Sequence, residues 1–434
     1  MTAILTCDEE DDEKDATGDR DVMMVRGIGY TYYPPRQNSQ VMGPADRINT
    51  CDSQEMRLMR IAIVGCGFVA DQYVLTLRLH RQLELAGAFD RDPTRAARFC
   101  DFHAIQRYDS LAQLLADRDI GIVVNLTNPS SHYEVSKACL KAGKHVYSEK
   151  PLAMDMGQAR ELVALAKARE LQISSAPCTI FSETAQTMWK ALRTNAIGNL
   201  RVVYAEMDDG LLHRMPYRQW QNASGTAWPW KDEFEVGCTI EHAGYVLTWL
   251  AAFFGPATSV TAFSSITVPD KQTDQPLEHV AADLSMGCIK YANGMVARLT
   301  CSIVAPHDHK LMFVGDEGIL WTKDTWYTRS PVYTRRYLRI RRRMMLQPWK
   351  TRVPLLGKEL PKIKYRGASK TDWGRGIADL AEAVVEKRPA RLSADLSLHV
   401  NELTLALQNA GENAGTYRMT TTFDPMTPLP WARD

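Results

Sequence analysis

The sequence has no pair of cysteines spaced CxxC, and its nine cysteines are scattered and odd in number. A disulfide framework or a thiolate zinc site is therefore not expected, and the cysteines read as reduced thiols. No apolar run is long enough to cross a bilayer, so no transmembrane segment is expected. Net charge is nearly absent, formally +1. Nucleic-acid binders usually concentrate positive charge, so no nucleic-acid partner is expected. The N-terminus also lacks a basic start followed by a hydrophobic core: "CDEEDDEKDATGDRD" is acidic and poor in apolar residues. Together these absences place the expected location in the cytoplasm.

What is present is ordinary in amount. A hydrophobic fraction of 45% and a charged fraction of 24% suit a globular chain, and 434 residues suit two domains. Residues 1–57 lack sustained periodicity and read as a disordered acidic tail. Met56 and Met59 stand just before the first clear strand, and a start there is an alternative to the long tail. Finding residues before Met56 in the native protein refutes that alternative.

From Arg60 the pattern sharpens. "RIAIVGCGFVADQYVLTLRLH" is a β-rich apolar run, a glycine turn, then a helix-length segment. "LELAGAFD", "IGIVVNLT", "HVYS" and "LQISSA" are further strands, separated by helical stretches such as "SHYEVSKACLKAGK" and "MGQARELVALAKAREL". This alternation predicts an α/β domain over 58–177 with a doubly wound parallel sheet. After Pro177 the long strands "RVVYAEMDDG", "SVTAFSSITV", "ADLSMGCIKYANGMVARLTCSIV" and "LMFVGDEGILWT" predict a second α/β domain over 178–434 with a large, mostly antiparallel sheet. The end of the chain returns to helical periodicity.

Gly65-Cys66-Gly67-Phe68-Val69-Ala70 fits GxGxxG/A between strand and helix. The first glycine permits the turn, the second lets the backbone approach a pyrophosphate, and Ala70 is small enough for close packing. The helix N-terminus favours the negative charge. Asp90 closes the second strand at the spacing of a ribose-binding acid, which favours NAD; Arg91 beside it leaves NADP open.

Several further motifs stand in order: Asn128-Pro129 and His132 within "VVNLTNPSSHYEVSKACLKAGKHVYSEKPLAMD", then Glu149-Lys150-Pro151, "VGDEGIL" and "DWGRGIADLAEAV". The chain from Arg60 onward thereby resembles the Gfo/Idh/MocA oxidoreductases, the glucose–fructose oxidoreductase and inositol dehydrogenase group. The unusual stretch near 325–370 is the exception. The resemblance implies a Rossmann domain and a C-terminal domain whose open sheet supports homo-oligomers, dimers or tetramers. It implies hydride transfer between NAD(P) and a secondary alcohol of a sugar, cyclitol or nucleotide sugar. It places Asn125, Thr127, Asn128, Pro129, His132, Glu149 and Lys150 at the cofactor, with Lys150 also at the reacting hydroxyl. A lysine beside a positive nicotinamide should have a lowered pKa and can exchange a proton with an alcohol.

"EVGCTIEHAGYVLTWLAAFFG" reads as a helix from Glu235 to Gly255. Relatives carry a pattern like GxLxDxGxH there. Glu241 takes the place of its Asp, Ala243 of a glycine and Tyr245 of its His. Three readings compete. Glu241 and Tyr245, four apart, share a helix face and replace the Asp–His pair. Alternatively His242 enters the site through a local shift. In the third, none is chemical: Glu241 favours the helix dipole, His242 is a satisfied polar group and Tyr245 is core. The departure also keeps two other functions in view, retained-NAD epimerase or glycosidase chemistry and a non-catalytic NAD sensor.

Trp220, Trp228 and Trp230, with His213 and Tyr217, suit either sugar stacking or packing. His307 and His309, in "APHDHK", lack the rest of a coordination set and read as a polar loop, so no metal is expected. The basic run from Arg335 to Lys364 reads as a solvated insertion. Its alternative is a surface for an anionic partner such as a nucleotide-sugar phosphate, an acidic subunit or a membrane, testable by charge reversal within Arg341 to Arg343.

Overall fold

The computed structural model describes residues 58–357, 370–413 and 415–433. The acidic segment 1–57 and the 358–369 part of the basic insertion lie outside the described residues. Six strands form the first sheet: β1 (Met59–Val64), β2 (Leu83–Phe89), β3 (Gln106–Arg107), β4 (Ile122–Asn125), β5 (His145–Ser148) and β6 (Ile173–Ser175). Their order is β3-β2-β1-β4-β5-β6, every pairing parallel. The centre of β1 and all of β4 are buried, as apolar runs flanked by helices on both faces require. The winding reverses between β1 and β4. The crevice at the carboxyl ends of those two strands is where ligands bind in such sheets.

The second sheet has ten strands: β7 (Leu200–Asp208), β8 (Ala257–Ser265), β9 (Leu284–Tyr291), β10 (Val296–Ser302), β11 (Leu311–Gly315), β12 (Gly318–Thr322), β13 (Val332–Ile340), β14 (Arg343–Leu346), β15 (Thr351–Val353) and β16 (Gly415–Arg418). Only β10 with β7 is parallel. Burial alternates along β9, so one face is packed and the other presents residues such as Met286 and Lys290. The basic insertion is not a plain loop: β13, β14 and β15 extend the sheet at one edge.

The carboxyl-terminal helices return to the first sheet. Gly376, in the helix Arg375–Glu386, lies so close to β5 that a Cβ there would stand 2.4 Å from the Tyr147 hydroxyl. Asn401 and Ser397, on the helix Ala394–Gln408, accept hydrogen bonds from the backbone of Ala153 and Ser175. Arg375 clamps the joint, donating to Asp372, Glu183 and the Phe181 carbonyl.

The stretch predicted as one helix from Glu235 is broken. Gly237, with φ +102°, ends the short helix Trp230–Val236. One π-helical turn, Thr239–Ala243, follows, and then the almost wholly apolar helix Gly244–Phe254. That apolarity suits its burial on nearly all sides. The π-helical turn carries Glu241 and His242.

Candidate active site

A cavity of about 400 Å³ opens at the carboxyl ends of β1 and β4 and is roofed by residues of the second sheet and its helix. At one end is the glycine turn. Gly65 has φ +100°, and a Cβ on it would lie 2.6 Å from the Leu126 carbonyl. Gly67 has only one neighbour in reach of a Cβ, at 4.0 Å, so its surface faces the open cavity. No side chain caps the first turn of the helix Ala70–Leu77. The helix N-terminus and the glycine cradle fit the pyrophosphate of a dinucleotide.

The stretch "DRDPTR" builds the next wall. Asp92 caps the helix Pro93–His103 by accepting from Thr94 N and Arg95 N, with Pro93 at its first position. That cap turns Arg95 back onto Asp90. Asp90 accepts from Arg95 Nε (2.9 Å), Arg95 Nη2 (2.8 Å), Cys66 N (2.8 Å) and Asp92 N (2.8 Å). A carboxylate has about four lone-pair positions, so these donors saturate it. Burial pushes the Asp90 pKa up, but Arg95 and the two amides hold it below the usual range. Asp90 therefore acts through Arg95, and Arg91 and Arg95 line the cavity with it.

The β4–β5 side is held by a polar net. Asn125, fully buried, accepts from Thr127 N and Oγ1 and donates to the His132 carbonyl and Ser136 Oγ. His132 spans the carbonyls of Pro151 (2.7 Å) and Thr127 (2.9 Å), and burial lowers its pKa. These two contacts tie the loop after β4 to Pro151. Glu149 accepts from the Tyr73 hydroxyl at 2.6 Å and from Lys150 N at 3.0 Å. Lys150 Nζ then reaches out to pair with Glu241.

Glu241, His242 and Tyr245 all line the same cavity. Glu241 and His242 stand on the π-helical turn Thr239–Ala243, and Tyr245 stands at the start of the helix that follows. His242 Nε2 lies 2.8 Å from Glu233 Oε1, and its Nδ1 lies 2.7 Å from Asp209 Oδ2, off the hydrogen-bond line. Burial would lower the His242 pKa, but Asp209 and Glu233 raise it well above its ordinary value. Tyr245 lies against Trp326, ring centres 4.4 Å apart.

Lys150 departs from the lowered pKa expected beside a nicotinamide. Burial would depress it, but Glu241 and Glu149 outweigh burial and raise it. Conversely, burial would raise the Glu241 pKa, and Lys150 lowers it.

The cavity brings together Gly65, Gly67, Phe68, Val69, Asp90, Arg91, Thr127, Asn128, Pro129, His132, Glu149, Lys150, Glu241, His242 and Tyr245. Cys66, Ala70 and Asn125, expected at the cofactor, are fully buried and do not line the cavity. Cys66 offers its amide to Asp90, Ala70 packs in the core, and Asn125 braces the loop. Trp220 and Trp228 line the cavity, whereas Trp230 and Tyr217 pack on one another and on Phe234. Arg341 to Arg343 are not among the residues that line this cavity. Sequence reasoning missed Asp209, Asp232, Glu233, Trp326 and Trp373. Burial and Glu241 push Asp232 to about 6.

Residues 59–176 match the family model "Oxidoreductase family, NAD-binding Rossmann fold", and residues 185–321 match the "GFO/IDH/MocA C-terminal domain". The two matches span more than half of the sequence. The chain belongs to the Gfo/Idh/MocA oxidoreductase family. It is an NAD(P)-dependent oxidoreductase with a Rossmann sheet and a large, mostly antiparallel sheet. It is 26% identical over 266 residues to the trans-1,2-dihydrobenzene-1,2-diol dehydrogenase of Bos taurus, covering 60% of this chain and 73% of that one. Aldose-aldose oxidoreductase from Caulobacter crescentus has the same fold, with TM-score 0.66 and 16% identity over 84% of this chain and 100% of that one. So does a 3-ketoreductase from Actinomadura kijaniata, with TM-score 0.62 and 19% identity over 82% of this chain and 98% of that one. That Gfo/Idh/MocA-fold enzyme was solved with NADP and TDP-benzene as a lysine-to-alanine and as a tyrosine-to-phenylalanine variant. Among the described residues of this family member no helix is long and apolar enough to cross a membrane.

Proposed function

We propose that the protein interconverts a secondary alcohol and a ketone on a sugar-like ring, with Lys150 at the reacting oxygen. The observation that carries this is the convergence of Lys150, Glu241 and Tyr245 on one cavity that begins at the glycine cradle. The glycine cradle would hold the dinucleotide, whose nicotinamide would supply the hydride acceptor or donor for the carbinol carbon. In oxidation the Lys150 amine takes the hydroxyl proton; in reduction its ammonium gives one back. Glu241 anchors the lysine and tunes it. Tyr245, one helical turn from Glu241, serves as the second proton donor to the oxygen. Trp220, Trp228, Trp326 and Trp373 give the ring apolar faces to lie against. The dihydrobenzenediol, aldose and TDP-linked relatives support a ring carrying neighbouring oxygens as the substrate class. The C-terminal sheet, with Tyr204 and Met286 on its exposed face, is the proposed homo-oligomer surface.

The pairing of Lys150 with Glu241 gives this reading a pH signature. Oxidation needs the neutral amine, and Glu241 raises the pKa of Lys150. Glu241→Gln removes that contribution and leaves burial, which lowers it. The acidic limb of kcat/KM for oxidation is expected to move to lower pH, read from pH–rate profiles of the two proteins. A limb that stays in place or moves upward contradicts the lysine as base.

Cofactor choice rests on Arg91 and Arg95, because the Asp90 oxygens are filled. Arg91→Ala is expected to weaken NADP binding by about 1.5–3 kcal/mol, roughly tenfold or more, with a smaller effect on NAD. Titration of both dinucleotides checks it. Equal loss for the two would remove Arg91 from 2′-phosphate recognition.

A further inference from the structure

Three donors from two distant stretches meet behind Asp209, the one of the three that lines the cavity. Asp209 directly follows β7, and His307 and His309 lie on the loop between β10 and β11. Asp208 and Asp308 exchange backbone hydrogen bonds of 3.0 and 2.9 Å, which fixes the two stretches side by side. Asp209 Oδ1 lies 2.9 Å from His309 Nε2 and 3.9 Å from His307 Nδ1. One donor atom from each of the three residues lies within 4.8 Å of the others.

The surroundings are those of a ligand set. The other oxygen of Asp209 faces His242 Nδ1 at 2.7 Å. The far nitrogen of His309, Nδ1, points toward Asp324 Oδ1 at 4.0 Å and has no hydrogen-bond partner, although His309 is only 1% exposed. A neutral His309 donating Nε2–H to Asp209 would leave its buried Nδ1 lone pair facing a carboxylate; an imidazolium or a cation on Nε2 each removes that mismatch by putting a proton on Nδ1. Asp324 Oδ1, which also accepts from Trp326 N and Tyr327 N, stands 4.0 Å from that nitrogen. Outer carboxylates behind ligating imidazoles, and partners on the second oxygen of a ligating carboxylate, are the usual supports of metal ligands.

We propose that Asp209, His307 and His309 bind a divalent first-row transition ion such as Zn2+ at the cavity wall. Two imidazoles and a carboxylate suit borderline ions of this kind, and three protein ligands leave a position open for water or a substrate oxygen. Asp209 lines the cavity, so the ion would stand at its wall. The reason for expecting a polar loop, the lack of a further ligand near HxDxH, is met by a residue about a hundred positions earlier in the chain.

The test reads metal rather than turnover, so it stands apart from the dehydrogenase reading. Untagged full-length protein is loaded with Zn2+, exchanged into metal-free buffer and assayed by elemental mass spectrometry. About one Zn2+ per chain is expected to be retained. His307→Ala, a half-exposed position whose loss spares the core, is expected to weaken retention at least about tenfold, and Asp324→Asn by about 10–100-fold. Loading with Co2+ should give a ligand-field spectrum without thiolate charge transfer, which separates this site from the exposed Cys288. Sub-stoichiometric retention by the wild type, a thiolate spectrum, or equal retention by wild type and both variants overturns the proposal.

Discussion

Lys150→Ala is expected to lower turnover by about 10²–10⁴-fold while dinucleotide binding persists, because the proposed function makes the lysine the proton-transfer group and leaves the pyrophosphate to the glycine turn. The same change leaves Glu241 buried without its partner, since the side chains of the pair are only 17% and 13% exposed. Removing one member of a buried pair costs up to about 3–5 kcal/mol, so the variant should also melt earlier. Lys150→Met combined with Glu241→Gln removes both charges together. It should recover most of the stability and none of the turnover. If activity returned with stability, Lys150 would be a structural residue and the proton would travel elsewhere.

Changing the two glycines of the turn is expected to have opposite signatures. Gly65→Ala forces a side chain into positive φ and into contact with the Leu126 backbone at 2.6 Å. Backbone strain and overpacking each cost about 1–3 kcal/mol, so stability should fall by about 2–6 kcal/mol. Gly67→Ala meets only one protein atom, at 4.0 Å, and should leave the melting temperature of the free protein nearly unchanged. Its methyl occupies the space over the cradle, so the stabilisation conferred by NAD or NADP should largely vanish. Melting curves with and without dinucleotide separate the two. Full ligand stabilisation in Gly67→Ala would mean that the pyrophosphate does not lie on this turn.

Much of the architecture could be read from the chain. The parallel sheet was legible because its central strands are continuous apolar runs and its helices carry a regular period. The second sheet was legible as a series of long strand-like runs; the alternation of burial along β9, with Ser285 and Gly287 inside and Met286 and Cys288 outside, does not follow residue polarity. The glycine turn and Glu149-Lys150-Pro151 are local motifs, and they stand where expected. The losses have a common cause, which is dependence on contacts distant in sequence. His242 belongs to the site through Asp209 and Glu233, partners that no local pattern around it announces. Asp209 is an ordinary acid after a strand until β10 and β11 bring His309 to it. Trp326 and Trp373 reach the cavity from segments near the basic insertion and from the start of the returning helices. Asp90 lines the cavity at the end of β2, and its salt bridge to Arg95, five residues on, is a contact the sequence reading did not include.

The central claim is tested most directly by following deuterium from carbon to cofactor. Sugars, inositols, nucleotide sugars and cyclic vicinal diols, each deuterated at its carbinol carbons, are offered to the wild-type protein with NAD or NADP. The account predicts that at least one yields a ketone together with reduced nicotinamide carrying the label at C4. Dinucleotide binding with no labelled cofactor from any of these substrates, and no ketone reduction in the reverse direction, would contradict it.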